Sequence, residues 1–284
     1  MPKLSTVPVI LRETFQSEFF DRQPEPDLIM DNVENVNAFD EAGEVGALPA
    51  IYAYNAEKAT ATIKRANTVV DLGCGSGVFL SLMAEINPSI QFIGLDLSNP
   101  MLEKARDNLT RKGLENVQLK KQDFSDLSCF EDHSIDAVVS LQAFHHLPDF
   151  DHLEKVFAEV SRVLKPDGAV YFQDLIRLKH KSSVLHFAYY DKSTPEATKK
   201  DGEYSMYAAF RFDEYKELSK KYFGEKLDVF KTGGVGLYTI LKTADRGFGD
   251  QERGRIKKYI STLSPETKKI YRDLKFFHWL GGLK

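Results

Sequence analysis

The sequence predicts an α/β fold: a doubly wound, mostly parallel, seven-stranded sheet with an N-terminal helical cap, an insertion after strand five and a C-terminal helical extension. Three observations predict it. The β-branched pair Val69-Val70 runs into a loop with glycines at 73, 75 and 77, followed at once by the helical spacing of VFLSLMAEI over 78–86. Short apolar runs then alternate with helical stretches as far as residue 173, which requires a parallel sheet covered on both faces. Two further runs, 227–231 and 237–242, are joined through Gly233-Gly234 and bring the strands to seven.

Residues 1–48 are acidic, irregular and broken by Pro24 and Pro26, with a short helix expected over 11–20 and no recognisable chemistry. PAIYAYNAEKATATIK (49–64) reads as a helix, its proline near the start where a missing N–H costs little. QFIGL (91–95) is strand two. The next helix, 99–112, is opened by Ser98 or Asn99 with Pro100 and stopped by Gly113. Strand three spans 117–120, strand four 135–140, and an amphipathic helix 150–164. Pro166-Asp167-Gly168 reads as a turn before strand five at 169–173. Residues 176–209 break the alternation and carry Lys179, Lys181, Tyr189, Tyr190, Lys192, Lys199, Lys200, Tyr204 and Tyr207. A helix is expected over 212–223, and two more over 251–263 and 265–280. Three units follow: a cap or lid at 1–66, the sheet domain at 67–242 with a lid insertion at 176–209, and a basic helical extension at 243–284.

A chain of 284 residues, 42% hydrophobic and 28% charged, can bury a full core. No apolar run approaches the ~18 residues a membrane-crossing helix needs, and the N-terminal apolar stretch is too short for a signal peptide. Two cysteines, Cys74 and Cys129, make no disulfide framework and no C-x-x-C pair, so a cytoplasmic setting is expected. The net charge of −4 argues against a nucleic-acid binder over the whole surface. Residues 244–284 depart from it, with ten Lys or Arg (Lys284 the last) against five acids; a solvated face, a homodimer contact or an anionic-substrate patch would all give that composition.

The glycine spacing is G-x-G-x-G. Val78 stands where a dinucleotide fingerprint needs its third glycine, which disfavours a nicotinamide-dependent oxidoreductase. Asp71 before the loop, Gly73, Cys74, Gly75 and Gly77 within it, and Asp96 at the end of strand two resemble motif I and its partner in class I S-adenosylmethionine-dependent methyltransferases. The resemblance covers about residues 67–242. It implies S-adenosylmethionine as cofactor, with loop backbone beside the methionine end, Asp96 on the ribose hydroxyls, Leu97 and Met101 flanking the adenine, Asp123 accepting from its amine and Phe124 against the ring. Ser140, ending strand four, joins that set.

Strand four leads into Gln142-Ala143-Phe144-His145-His146, and strand five ends in Gln173-Asp174, both at the carboxyl edge where ligands bind in a doubly wound sheet. A neutral imidazole can take a hydroxyl proton and a carboxylate can orient it, so His145 or His146 with Asp174 is the candidate base pair. The arrangement resembles that of small-molecule O-methyltransferases. Tyr54, Gln142, Tyr189, Tyr190 and Tyr207 are candidates to line the acceptor pocket, roofed by the cap and the insertion, with Tyr204 and Phe210 beside them. The prolyl-aromatic motif of many base-modifying enzymes is absent after Ser140, and so is the magnesium-binding acid pattern of the catechol type. No metal is expected. The expectation is methyl transfer to a small molecule, at oxygen. Its rivals are an RNA or protein methyltransferase docking through the basic tail, and a non-catalytic binding module.

Overall fold

The computed structural model describes residues 6–190 and 196–283; Lys192 and Lys284, counted above, lie outside the described residues. Seven strands, β1 (Thr68–Leu72), β2 (Gln91–Asp96), β3 (Val117–Lys121), β4 (Ile135–Leu141), β5 (Leu164–Leu175), β6 (Asp228–Lys231) and β7 (Tyr238–Lys242), form one sheet in the order β3-β2-β1-β4-β5-β7-β6.

 The crossover helices differ in length, with nine residues in α4 (Val78–Ile86), thirteen in α5 (Asn99–Arg111) and fourteen in α6 (Phe150–Val163). All neighbours are parallel except β7, which runs antiparallel to both β5 and β6.

Successive strand residues feed opposite cores, as the two-residue period demands. Val69, Val139, Tyr171 and Ile240 face α4, α5 and α3 (Leu48–Ile63), while Val70, Val138, Phe172 and Leu241 face α6 and α9 (Phe212–Phe223). A third cluster joins α1 (Val7–Phe15), α7 (Lys181–Ala188) and α8 (Glu196–Ala208) to the end of β5 and the β6–β7 turn. The insertion is thus a helical lid on the carboxyl edge of the sheet.

The structure corrects several expectations. The first helix is Val7–Phe15, started by Pro8, and the chain leaves it in an extended conformation at Gln16. α2 (Val33–Ala42) was hidden because only Val36 and Asp40 are buried; Asn32 caps it by accepting the N–H groups of Glu34 and Asn35. Pro166-Asp167-Gly168 is not a separate turn but a bulge inside β5: Ile135 pairs with Leu164 and Ala137 with Ala169, so the extra residues loop out.

The C-terminal helices α10 (Asp250–Thr262) and α11 (Pro265–Leu280) do not form an independent extension. Both pack on α3, and Ile256, Tyr271 and Leu283 join the same core as the sheet. His278 stacks on Tyr54 with ring centroids 4.7 Å apart, and its Nδ1 is buried without a partner. Burial, with Lys58 nearby, pushes the His278 pKa down to about 3 from 6.5. Between those two values only the unfolded chain binds the proton, so the fold loses stability as pH falls through that window, by roughly 1.4 kcal/mol per pH unit at most. His278→Phe is expected to flatten this part of the profile of melting temperature against pH; an unchanged slope would remove His278 as its source.

Candidate functional site

The loop after β1 is shaped by its glycines. Gly73 (φ 71°) and Gly77 (φ 73°) are left-handed, and a Cβ on them would lie 2.5 Å from Ala143 Cβ and 2.9 Å from Ala105 Cβ respectively. The loop therefore lies directly against both α5 and the turn after β4. Gly73 and Cys74 donate their N–H groups to the Leu95 carbonyl, which ties the loop to β2. The Cys74 thiol is buried, and burial raises its pKa well above the ordinary value, so it fills the turn as a neutral group.

Asp96 receives the Gly75 N–H on one carboxylate oxygen (2.8 Å) and the Ser98 N–H on the other (2.9 Å). Each oxygen keeps a lone pair for a further donor, as a pair of ribose hydroxyls would supply. Burial raises its pKa against those two bonds. Asp71 is buried deeper; burial and then the charge of Asp96 push it up to about 8. Leu97 is half-buried and Met101 buried beside this edge, and the half-buried Phe124 packs over Gly73 and 6.2 Å from Phe144. Asp123 uses one oxygen on the Ser125 N–H, 2.8 Å away, in a local turn. Ser76 Oγ in the loop and Gln173 Oε1 near the end of β5 are buried oxygens with no hydrogen-bond partner among the described residues. Lone pairs on Asp96, unpartnered oxygens and the glycine cradle fit a nucleoside carrying donor groups. Ser140 differs from its expected role, since its hydroxyl is given to the Leu72 carbonyl at 2.9 Å and stitches β4 to β1.

Around the corner, the 3-10 turn Phe144–His146 presents both histidines. Asp174 accepts the N–H groups of Phe144 (2.7 Å) and His145 (3.2 Å) on one oxygen, and Leu175 N–H (2.6 Å) with His145 Nδ1 (2.6 Å) on the other. A carboxylate offers only acceptors, so Nδ1 carries the proton and Nε2 is the free position of the neutral ring. That nitrogen lies 3.9 Å from Glu25 Oε1. The other Glu25 oxygen pairs with His146 Nδ1 at 2.6 Å, and Ser205 of α8 donates to Oε1 at 2.7 Å.

Burial opposes charge on His145, but Asp174, through charge and hydrogen bond, and then Glu25 outweigh it, leaving its pKa above the ordinary value. Burial likewise opposes the Glu25 charge, yet the His146 hydrogen bond and the two imidazoles bring its pKa down to about 2. Asp201 of α8 is raised, by burial first and then by Glu25. Arg22 closes the arrangement from the N-terminal side: its guanidinium donates to the carbonyls of His145, Leu147, Pro148 and Ala208 and lies 4.1 Å over the Phe210 ring.

Sequence reading missed Glu25, Arg22, Asp201 and Ser205. Residues 16–31 form no helix or strand, so no periodicity marks Glu25; its flanking prolines were the only signal, and they spoke of an extended segment rather than a carboxylate. Several expected acceptor residues lie elsewhere. Tyr54 is buried in α3 and stacks on His278 of α11, because α3 is covered on nearly every side and this position faces α11. Tyr189 is exposed and donates to Glu203 at 2.9 Å, Tyr190 packs on His186, and Tyr207 meets Phe20 edge to face at 5.5 Å. These three belong to the lid's own packing. Gln142 does sit at the carboxyl edge, in a left-handed conformation (φ 52°) with its N–H on the Gln173 carbonyl.

Among the described residues, Glu25, His145 and His146 form the group whose ligand atoms, all within 4.8 Å of one another, could surround a metal ion. Two ligands on one zinc ion stand about 3.3 Å apart, from metal bonds of about 2.0–2.1 Å in a tetrahedron. The 2.6 Å separation of Glu25 and His146 is instead that of a charge-assisted hydrogen bond.

The strand order, the glycine loop and Asp96 define a class I S-adenosylmethionine-dependent methyltransferase. The profile of a family described as a methyltransferase domain matches residues 63–228, and the chain belongs to that family. Three curated relatives are an arsenite methyltransferase of Halobacterium salinarum (33% identical; 42% of this chain, 30% of the relative), a demethylmenaquinone methyltransferase of Lactobacillus johnsonii (31%; 55% and 61%), and a ubiquinone biosynthesis O-methyltransferase of Neisseria meningitidis (27%; 62% and 69%). The chain spans less than two thirds of the length of the first two. Among solved structures, an S-adenosylmethionine-dependent methyltransferase from Aquifex aeolicus is 17% identical, with a TM-score of 0.52, over 75% of this chain and 97% of that one; it shows the shared fold.

If the Asp96 carboxylate accepts two ribose hydroxyls, replacing it by Ala removes both bonds. Calorimetry is expected to show S-adenosylmethionine affinity falling about a hundredfold, from hydrogen bonds to a charged group at roughly 1.5–3 kcal/mol each. Unchanged affinity would move the cofactor off this edge.

Proposed function

We propose that the chain transfers the methyl group of S-adenosylmethionine to a hydroxyl oxygen of a small molecule, with His145 as the general base. The observation that carries this reading is the fixed tautomer of His145: Nδ1 is held by Asp174, and Nε2 faces Glu25 beneath the α8 lid. Ala143, in contact range of the glycine loop, places that turn next to the cofactor edge. Bound there, S-adenosylmethionine supplies an electrophilic methyl group for in-line displacement. The protein's part is to align the acceptor oxygen about 3–3.5 Å from the methyl carbon and to receive its proton at Nε2.

Glu25 has two tasks on this reading. It stabilises the imidazolium that His145 becomes, and its pairing with His146 keeps its carboxylate from approaching Nε2 more closely. Relatives named as a demethylmenaquinone methyltransferase and a ubiquinone biosynthesis O-methyltransferase support a small acceptor, and the second supports oxygen as its reacting atom. A cytoplasmic setting accords with Cys74 and Cys129, both free thiols. RNA docking through the tail is less well supported, since α10 and α11 bury one face in the core.

His145→Ala, assayed with methyl-labelled S-adenosylmethionine and a panel of hydroxylated small molecules, is expected to lose about 10²–10⁴-fold in turnover, the usual range for a general base, while cofactor affinity holds. Full activity would remove His145 as the base. Label transferred to RNA but to none of the small molecules would replace the acceptor class.

The pH profile offers a second test. The base works when unprotonated, so activity rises as pH climbs through the elevated His145 pKa. Glu25→Gln removes a charge that raises that pKa; the acidic limb of kcat/KM is expected to move to lower pH. A limb that stays in place would mean that another group titrates.

A further inference from the structure

Among the described residues, seven of the twelve large apolar side chains left exposed lie on three helices, α1, α7 and α11. α1 exposes Val7, Leu11 and Phe15 (81% exposed), spaced four residues apart along one stripe, and α11 exposes Phe276, Trp279 and Leu280 (50%, 60% and 52%). Both stripes flank the Gly233-Gly234 turn between β6 and β7. Gly233 donates its N–H to the Phe277 carbonyl, and Ile10 and Phe277 each come within 4.0 Å of where a side chain on Gly234 would begin. α7, packed on α1, adds the exposed Leu185.

The charge on this face is selective. The solvent side of α11 reads Lys269, Arg272, Lys275, Phe276, Trp279, Leu280, with Lys231 and Lys181 exposed nearby. Of the acids beside these bases, Glu266 lies in the first turn of α11, Asp273 pairs with Lys269 at 2.6 Å and Glu57 of α3 pairs with Lys275 at 3.4 Å, while both lysine side chains stay about half exposed. The whole chain carries −4, whereas residues 244–284 carry ten basic residues against five acids. An anionic surface would therefore repel most of the molecule and attract this end of it.

We propose that this face docks on an anionic lipid bilayer, with Phe276, Trp279 and Leu280 of α11 in the headgroup region, Lys269, Arg272 and Lys275 on lipid phosphates, and Leu11 and Phe15 of α1 entering beside them. Basic residues next to exposed aromatic ones on a helix face match the interfacial mode of binding. No helix among the described residues is long and apolar enough to cross a membrane, so the contact is peripheral. A second copy of the chain fits less well, because a two-fold contact would set the basic face against itself.

Trp279 is the single tryptophan of the chain, so its fluorescence reports on this face alone. The full chain is titrated with vesicles of phosphatidylcholine, or of phosphatidylcholine with phosphatidylglycerol, with and without brominated acyl chains. The anionic vesicles are expected to shift Trp279 emission to the blue, the brominated chains to quench it, and salt to weaken both effects. Phe15→Ser with Phe276→Ser, which keeps the reporter, should lower partitioning about a hundredfold, since two large apolar side chains then no longer leave water. Emission unaffected by anionic vesicles at low ionic strength would overturn the proposal. So would a blue shift that grows with protein concentration without lipid, alongside a dimer in sedimentation, since a second copy would then cover the face.

Discussion

The carboxylate of Asp174 is the contact on which the site depends. It is almost fully buried, and a buried charge is costly unless its lone pairs are met. Four donors meet them: the N–H groups of Phe144, His145 and Leu175, and the His145 ring. Two of those N–H groups belong to the 3-10 turn after β4, so one side chain at the end of β5 fixes both the path of the neighbouring loop and the tautomer of its histidine. A neutral amide at 174 would offer one oxygen where two are used.

Closing the site from above is the work of a segment with no regular structure. Residues 16–31 leave α1 extended and cross the carboxyl edge of the sheet, reaching the Met30 carbonyl, which accepts the Ser98 hydroxyl at 2.7 Å. Regular structure would have consumed its backbone groups internally; an extended segment leaves side chains such as Arg22 free to serve the carbonyls of others. The planar fork of Arg22 suits four carbonyls from two different loops, a task that the three donors of a lysine point charge would perform with less geometric control. Glu25 follows three residues later and is carried into the histidine pair by the same crossing.

Legibility in the sequence followed local periodicity. The strands, the glycine loop and the helices α4, α5, α6, α9 and α11 could be read because each is set by its own apolar spacing or cap, as with Ser98, whose hydroxyl accepts the Met101 N–H. The pairing of Asp174 with a histidine after β4 could be anticipated because both close adjacent strands. Glu25 could not be: it is about 120 residues from its partners, and what brings it there is a tertiary crossing with no repeat of its own. Tyr54 failed for the opposite reason. Its helix was read correctly, but a helix buried on nearly every side gives no clue as to which aromatic faces a ligand and which faces α11.

The concentration of acids around the histidines is intelligible if a positive charge is to appear there. Glu25 stays ionised, and Asp174 meets the His145 ring from the other side, so the two carboxylates bracket an imidazole that has two protonation states to choose between. Both favour the charged state, against the burial that would otherwise suppress it. Asp201 nearby has its pKa raised, by burial first and then by the charge of Glu25. A site meant only to bind a neutral molecule gains nothing from holding His145 in this balance; one that takes a proton from an acceptor hydroxyl needs it, because the proton must be accepted near neutral pH and stabilised once it arrives. The same carboxylates set the cost: the more they favour the imidazolium, the higher the pH at which the free base is regained.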